Sequence, residues 1–227
     1  MAGLCTSLRS FVRFLHYRGQ LAHDLAANIG SPRIVAVERP PRALAWLEVQ
    51  RLLGTVDRRH RTGRRDYALL LLMATYGMGA AEVRYLKLED VDWRAATIQV
   101  YRSKTGVSNL LPLLPAVAEA LADYLRDGRP RHVSTRAIFV ATAEPHGALS
   151  SSAVGHVVRT HARTAGISGK ILGGHVLRHS HACRQVELGA SLKSVGDILG
   201  HRTPASTSVY IRVATDRLRE MALPVPR

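Results

Sequence analysis

The segment ATYGMGAAEVRYL, residues 74–86, contains the end of an apolar run, a glycine turn and the start of an amphipathic helix. The apolar run itself, YALLLLMATYGM (67–78), is shorter than a membrane span and is typical of a helix buried in a protein core. Gly77 and Gly79 supply the turn, because glycine tolerates backbone conformations that other residues avoid. The segment therefore predicts a buried helix joined by a tight turn to an amphipathic helix.

The overall charge favours a polyanionic partner. The chain has 227 residues with 32 Lys and Arg against 17 Asp and Glu, a formal charge of +15. We favour nucleic acid over the alternative of a merely basic protein from an arginine-rich proteome. Two distant cysteines, Cys5 and Cys183, without a CxxC motif make a zinc ribbon or a disulfide framework improbable. The N-terminus lacks a signal-peptide pattern, so we expect a cytoplasmic protein.

The chain divides into three parts. Residues 4–18 place Leu8, Phe11, Val12 and Leu15 on one helical face, and Gly19 ends this helix. A single helix cannot form a core, so within residues 1–30 it either packs on the remainder of the chain or belongs to another domain. Residues 31–42 contain three prolines and no helical period, which indicates a linker. The second unit is expected over residues 43–227.

The second unit shows a helical pattern interrupted by one strand-like region. Residues 97–113 alternate apolar and polar positions around a KTG turn, which predicts a β-hairpin. The basic segment DRRHRTGRRD (57–66) is predicted to be a loop, either a solvated turn or a phosphate contact surface.

The remaining predicted features are a helical stripe of Trp46, Val49, Leu52 and Leu53, a helix between Pro115 and Gly128, an extended run over 137–140, a helix capped by Ser151 or Ser152 that ends near Gly166, a helix from Ser191 to Gly200, and a helix that opens at Thr203-Pro204 and contains Tyr210. The fold class is mainly α with a small antiparallel β-sheet.

Several polar residues that could carry chemistry lie in the last third of the chain. GGHVLRHSHACRQ (173–185) places His175 and Arg178 on the same face of a helix, with His179 one turn from His175. His201 follows a helix-ending glycine, and Tyr210 comes nine residues later. Taken singly, each has an ordinary structural explanation. The HxxxH spacing lacks both the glutamate of a zinc protease and a third ligand, so a metal site is disfavoured.

Together these residues match the needs of phosphodiester chemistry. Arginine binds the non-bridging oxygens through two hydrogen bonds, and histidine adds another. A tyrosine hydroxyl can form a covalent phosphate ester. Lys104, in the hairpin turn RSKTG, could donate a proton to the leaving oxygen. Such a site needs no metal, because the protein supplies the positive charge.

HVLRH, LGH and a tyrosine nine residues later resemble the tyrosine recombinase, or phage integrase, family in order and spacing over residues 41–220. The resemblance implies the family's tyrosine recombinase catalytic-domain fold over 43–227, with residues 1–30 as the remnant of a helical core-binding domain. It implies double-stranded DNA as the partner, a homo-tetramer on two duplexes, and neither cofactor, metal, membrane nor small-molecule substrate. It also implies that residues 213–227 pass to a neighbouring subunit, although packing within one chain is equally open.

The same resemblance implies a role for each residue of the cluster. Tyr210 is the nucleophile that cleaves one strand and forms a 3′-phosphotyrosyl link. Arg178 clamps the scissile phosphate, His201 hydrogen-bonds it, and His175 assists proton transfer. Lys104 is the general acid.

The chain departs from the family pattern at two places. The family has an arginine in a turn reading T-G-x-R-x-x-E, whereas here Gly79 occupies that position and Glu82 follows three residues on. Arg84 lies too far round the helix to substitute. The second departure is the short N-terminal part, which predicts weaker DNA affinity. Together they favour a degenerate copy from a mobile element.

Three functions follow as hypotheses. The first is a site-specific recombinase or integrase of a mobile element with impaired chemistry. The second is a catalytically inactive DNA-binding relative that occupies recombination sites. The third is an enzyme similar to type IB topoisomerases, which would relax supercoils without exchanging strands.

Overall fold

The computed structural model describes residues 2–30, 43–102, 105–167, 172–201, 203 and 206–210. The predicted linker, Lys104, Pro204 and the segment 213–227 lie outside these residues. The chain forms two compact units, Met1–Arg39 and Pro40–Arg227, which are described separately. No helix among the described residues is long and apolar enough to cross a membrane.

The first unit consists of a helix and a short 3₁₀ turn. Helix α1 spans Ala2–Tyr17 and is followed by Gly19, whose φ of 69° lies in the left-handed region. The predicted helix over 4–18 is confirmed. The chain then forms a 3₁₀ turn over Leu25–Asn28, and the Arg9 guanidinium donates hydrogen bonds of 2.6 and 3.1 Å to the Ile29 carbonyl. This polar contact fixes the turn against the helix.

The second unit alternates helices with one small sheet. Its described helices are α2 (Trp46–Gly54), α3 (Arg61–Tyr76), α4 (Ala80–Tyr85), α5 (Pro115–Asp123), α6 (Ser151–Thr164), α7 (Val176–Glu187) and α8 (Leu192–Leu199). Its strands are β1 (Val91–Asp92), β2 (Thr97–Arg102) and β3 (Val107–Pro112). Tyr210 ends a 3₁₀ turn over Ser208–Tyr210. The predicted fold class, mainly α with a small antiparallel sheet, is confirmed.

The sheet is antiparallel, with the order β1-β2-β3. The predicted hairpin is confirmed: β2 and β3 pair from Thr97 with Pro112 to Arg102 with Val107. Ile98 and Val100 are fully buried, as the alternating pattern indicates. The two-residue strand β1 is an addition that the sequence pattern did not predict, because two residues are too few to show a period.

Helix α3 lies at the centre of the core. Leu69, Leu70, Leu72 and Met73 are fully buried, so the apolar part of the helix lies within the core, as the apolar run predicts. It packs against α2, α4, α5 and α7. The turn between α3 and α4 is thereby held in the interior of the unit.

The basic segment 57–66 is not a loop throughout. Helix α3 begins at Arg61, so the second half of the segment is helical. Arg65 is buried, where its guanidinium pairs with Asp66 at 2.8 Å and donates to the Val140 carbonyl. His161 Nε2 lies 3.1 Å from the other Asp66 oxygen. These charged side chains face the core. The charge-rich sequence pattern did not predict their burial.

The predicted ends of three helices can be compared with the structure. The prediction of Ser151 or Ser152 as the cap of α6 is wrong by one residue, because the Ser150 hydroxyl accepts the Ala153 N–H. At α8 the predicted boundaries are confirmed: the Ser191 hydroxyl accepts the Ser194 N–H, and Gly200 ends the helix with a φ of 67°. The predicted helix between Pro115 and Gly128 is α5, continued by a π-helical turn over Tyr124–Gly128.

Candidate active site

A cavity of about 570 Å³ in the second unit is lined by four of the predicted residues, His175, Arg178, His201 and Tyr210. His175 is the N-cap of α7, and Arg178 lies in the first turn of that helix. His201 follows the end of α8. Three separate elements thus place their polar side chains around one space. The fifth predicted residue, Lys104, lies outside the described residues.

The turn between α3 and α4 forms one wall of this cavity. Gly77 has a φ of 61°, and a Cβ there would lie 2.7 Å from Leu199 Cδ2 and 2.9 Å from His181 Cδ2. Both the backbone conformation and the close packing therefore require glycine. The Gly79 N–H donates a 2.7 Å hydrogen bond to Glu82 Oε2, which caps α4.

Gly79 differs from Gly77, because its backbone has a conformation that any residue can adopt. Its φ of −80° and ψ of 165° lie in the extended region. A Cβ at this position would make ordinary contacts, 3.4 Å from His175 Cε1 and 3.7 Å from Glu82 Oε2. The cavity wall thus has the conformation and the space for a side chain that the sequence does not provide.

Arg178 is held by acceptors from three elements. Its Nη1 donates to the Gly77 carbonyl at 3.1 Å and to Glu82 Oε2 at 3.0 Å, and its Nη2 donates to the Leu199 carbonyl. Only 14% of the side chain is exposed. The guanidinium is therefore fixed in direction at the cavity, with its charge partly balanced by Glu82.

A second guanidinium, that of Arg102, also lines the cavity. The residue is 1% exposed, and its Nη1 pairs with Glu82 while its Nη2 donates to the Ile198 carbonyl at 2.7 Å. Among the residues that the structure describes, its buried Nε finds no hydrogen-bond partner. Burial lowers the pKa of Arg102, and the neighbouring Arg178 lowers it further.

Sequence reasoning missed Arg102, although a signal was present. Ile98, Val100 and Arg102 alternate along β2, so the arginine occupies the third position of a buried strand face. An arginine on such a face needs an acid partner, and Glu82 is that partner. One carboxylate thus meets two guanidiniums, which leaves the cavity with excess positive charge.

His201 lies at the edge of this positive region. Its Nδ1 is 2.9 Å from the Thr207 hydroxyl. Burial lowers the pKa of His201, and the charges of Arg178 and Arg102 lower it further. The ring is therefore neutral near pH 7 and retains one N–H for donation.

Tyr210 is buried, with 1% of its surface exposed, and its hydroxyl lies 2.7 Å from His179 Nδ1. Burial raises the pKa of Tyr210 well above its usual value, and the nearby Cys183 raises it further. Cys183 is buried as well, which raises the pKa of its thiol to about 11. The phenol is thus protonated at neutral pH, beside a histidine that can accept its proton.

The arrangement has the components for binding an anion and for attacking it. Two guanidiniums against one carboxylate favour an anionic ligand. Neutral His201 adds a donor, and Tyr210 adds a hydroxyl at the cavity wall. These are the groups that phosphoryl transfer without a metal requires from a protein.

Comparison with known proteins identifies the family. Residues 43–217 match the model of the phage integrase family. The chain is 41% identical over 221 residues to y4rA, named an integrase/recombinase of Sinorhizobium fredii, covering 97% of this chain and 54% of the relative. It is 30% identical over 223 residues to the tyrosine recombinase XerD of Listeria innocua, covering 97% of this chain and 74% of that protein.

Solved structures agree in fold. XerH recombinase, in a post-cleavage complex with its palindromic difH substrate, superposes with a TM-score of 0.71 at 21% identity, covering 96% of this chain and 71% of XerH. The chain spans about half the length of y4rA, at 54% of that relative. Sequence and fold together show that the chain belongs to the phage integrase family, the tyrosine recombinases.

Proposed function

We propose that this chain is a site-specific DNA recombinase that cleaves one strand through Tyr210 and exchanges it through a 3′-phosphotyrosyl intermediate. The observation that supports this best is the convergence of His175, Arg178, His201 and Tyr210 on one cavity from separate elements. The charge of +15 supports double-stranded DNA as the partner. XerH, whose structure contains its DNA substrate, has the same fold.

The cleavage step assigns one task to each residue. The Tyr210 oxygen attacks the scissile phosphorus, the bond to the 5′ oxygen breaks, and the phosphate becomes esterified to the tyrosine. Arg178 holds the non-bridging oxygens in the direction that Glu82 and two backbone carbonyls give it. His201 donates a hydrogen bond to the phosphate. His175 assists proton transfer, and Lys104 protonates the leaving 5′ oxygen.

In this proposal, the glycine at position 79 lowers the rate of the cleavage step. The turn retains the conformation that an arginine would occupy, but it contributes no side-chain donor to the phosphate. Removing one donor from a developing anion lowers rates by about 10²–10³. Arg102 does not compensate directly, since its guanidinium is buried against Glu82 and Ile198.

The wider context extends the same proposal. Residues 1–30 belong to a core-binding domain and 43–227 to the catalytic domain, joined by the linker 31–42. The protein works in the cytoplasm as a homo-tetramer on two duplexes, without a cofactor, as part of a mobile element. The identity to y4rA and XerD supports the recombinase assignment on which this context depends.

Covalent capture tests the function. The chain is incubated with a pool of nicked duplexes of randomised sequence, so that cleavage releases a short fragment and cannot reverse. Protein–DNA adducts are isolated under denaturing conditions and sequenced to define the site. The matched variants are Tyr210→Phe, Gly79→Arg and the double variant.

A Tyr210-dependent adduct that grows with Gly79→Arg supports a recombinase weakened at one position. An equal adduct with and without Gly79→Arg keeps the nucleophile but removes the proposed impairment. An adduct that survives Tyr210→Phe contradicts the proposed chemistry. Supercoil relaxation without strand exchange on the recovered site would favour a topoisomerase instead.

A second function deserves a test because Gly79 and the buried Tyr210 both oppose cleavage. In that case the chain is a DNA-binding relative that occupies recombination sites. Sequence-specific binding in a mobility-shift assay, without adduct in either the chain or its Gly79→Arg variant, would support this alternative.

A further inference from the structure

We propose that His179 is the catalytic base that removes the proton from Tyr210 as the tyrosine attacks. This inference rests on the proposed function, because it assigns the fate of the nucleophile's proton. It concerns a residue that the family pattern of His175, Arg178 and His201 leaves without a task. The starting observation is the 2.7 Å distance between His179 Nδ1 and the Tyr210 hydroxyl.

The contact between His179 and Tyr210 suits a proton transfer. The ring centroids lie 5.8 Å apart with planes tilted by 52°, so the contact is through the edge atoms rather than by stacking. In the tautomer with its hydrogen on Nε2, the imidazole offers Nδ1 as an acceptor for the phenol hydrogen. The proposal assigns this tautomer to His179, so that Tyr210 is the donor across the 2.7 Å contact.

The fold fixes both partners. His179 lies in the first turns of α7, where its N–H donates to the His175 carbonyl at 3.0 Å. Arg178, the adjacent residue, is fixed by three acceptors. Tyr210 is 1% exposed at the end of its 3₁₀ turn, whose N–H donates to the Thr207 carbonyl. The helix that positions the phosphate-binding arginine thus also positions the base.

Burial makes a nearby base necessary. The Tyr210 phenol is removed from water, which raises its pKa, and solvent cannot readily take its proton. His201 is engaged elsewhere, since its Nδ1 contacts Thr207. His181, on the same helix, is also buried, with its Nδ1 3.0 Å from the Ala74 carbonyl. Of these three rings, His179 is the one in contact with the hydroxyl.

The proposed step balances. As the Tyr210 oxygen forms its bond to phosphorus, its proton moves to His179 Nδ1 and the imidazole becomes a cation. The bond between phosphorus and the 5′ oxygen breaks, and that oxygen takes a proton from the general acid. The reactant and product diesters each have one negative charge, and the second charge that develops during attack is neutralised when the 5′ oxygen is protonated. The new imidazolium lies within the cavity until religation returns its proton to the tyrosine.

The test introduces His179→Asn into two backgrounds, the parent chain and its Gly79→Arg variant, and compares each product with the background in which it was made. Asparagine presents an oxygen near the position of Nδ1, so it preserves a hydrogen-bond acceptor but cannot take the proton. His156→Asn, at an exposed position on α6, is the matched control. The readout is the rate of covalent adduct formation on the nicked duplex that the capture experiment recovers. We expect a loss of about 100-fold for His179→Asn and no change for His156→Asn.

Two further measurements separate a base from a structural role. A 5′-bridging phosphorothiolate substrate has a leaving group that needs no proton, so it should correct Lys104→Ala and leave the His179→Asn defect in place. Incorporation of a ring-fluorinated tyrosine at position 210 makes the phenol more acidic. That replacement should recover part of the rate in His179→Asn, because a more acidic nucleophile depends less on a base.

The outcomes are distinct. A Tyr210-dependent adduct whose rate is unchanged by His179→Asn overturns this inference and leaves the proposed function intact. A defect that the phosphorothiolate corrects also overturns it, since it assigns His179 to the leaving group. An adduct independent of Tyr210, or none in both backgrounds, overturns the inference together with the proposed function.

Discussion

The turn between α3 and α4 has two glycines with opposite relations to the fold. Gly77 adopts a left-handed conformation and lies where any side chain would collide with Leu199 and His181. Gly79 has an extended backbone, and a Cβ there would make ordinary contacts with His175 and Glu82. The first glycine is required by the shape of the turn, whereas at the second the backbone would accept another residue. If position 79 is where the family has its arginine, as we propose, the fold is preserved while one catalytic group is absent.

The sharpest test of this contrast is Gly79→Arg. We expect adduct formation to rise by about 10²–10³, because a donor returns to the phosphate site. The free energy of unfolding should change by less than about 1 kcal/mol, because the backbone is already in an allowed region. Urea unfolding and adduct kinetics measure the two effects. Gly79→Met, similar in length but uncharged, should leave the rate unchanged; a comparable gain with methionine would refute the role of charge.

The next largest effect is expected at Glu82, whose carboxylate accepts the Gly79 N–H and pairs with Arg102 and Arg178. Glu82→Gln leaves the cap acceptor but removes the charge between Arg102 and Arg178. We expect a loss of about 3 kcal/mol in unfolding free energy, because a buried guanidinium loses its counter-charge. Chemical denaturation measures it. The control Glu89→Gln breaks an exposed ion pair with Arg136 and should have no measurable effect. Equal stability of the two variants would contradict the central position of Glu82.

Gly77→Ala should destabilise the protein by about 2 kcal/mol, from unfavourable φ and from the contacts at 2.7 and 2.9 Å. Gly166→Ala is a matched control, since Gly166 has a φ of 68° and, in the described part of the chain, no heavy atom beyond its two sequence neighbours lies within 4 Å of its Cβ position. That variant should lose about 1 kcal/mol, from the backbone alone. Thermal unfolding of both separates conformation from packing. A smaller loss at Gly77 than at Gly166 would show that the packing around the turn yields.

The smallest effect is a dependence of stability on pH. Burial lowers the pKa of His181 and of His201 below the ordinary histidine value of about 6.5. The unfolded chain therefore binds protons that the folded chain excludes, so stability should fall as the pH decreases from about 6.5. Urea unfolding between pH 7.5 and about 5 measures the slope, and His181→Leu should reduce it. Stability that increases over this range would contradict the assignment of neutral rings.

Much of the fold followed from local chemistry. The alternation of Ile98 and Val100 predicted the hairpin, and Ser191 with Gly200 fixed the ends of α8. The errors arose where tertiary contacts decide. Arg65 and Asp66 appear as surface residues in a charged segment, yet each satisfies the other in the core. No local pattern can distinguish such a pair from a solvated one.

The candidate site also contains residues that the sequence predicted and residues that it missed. His175, Arg178, His201 and Tyr210 were predicted to act together, and the structure places them around one cavity. Their catalytic roles remain predictions. Arg102 was missed because its function depends on a contact with Glu82, 20 residues earlier in the chain. The contact of His179 with Tyr210 spans 31 residues and has no counterpart in sequence spacing.

The open conformation at Gly79 also has a genetic consequence. Every glycine codon begins with GG, and replacing its first base by C gives an arginine codon. Because the turn already has an extended φ and a Cβ there makes only ordinary contacts, we expect such a change to need no compensating mutation elsewhere in the gene. In our proposal the present chain is thus one base substitution from the family's arginine. A selection for recombination on a randomly mutagenised copy should recover this revertant first.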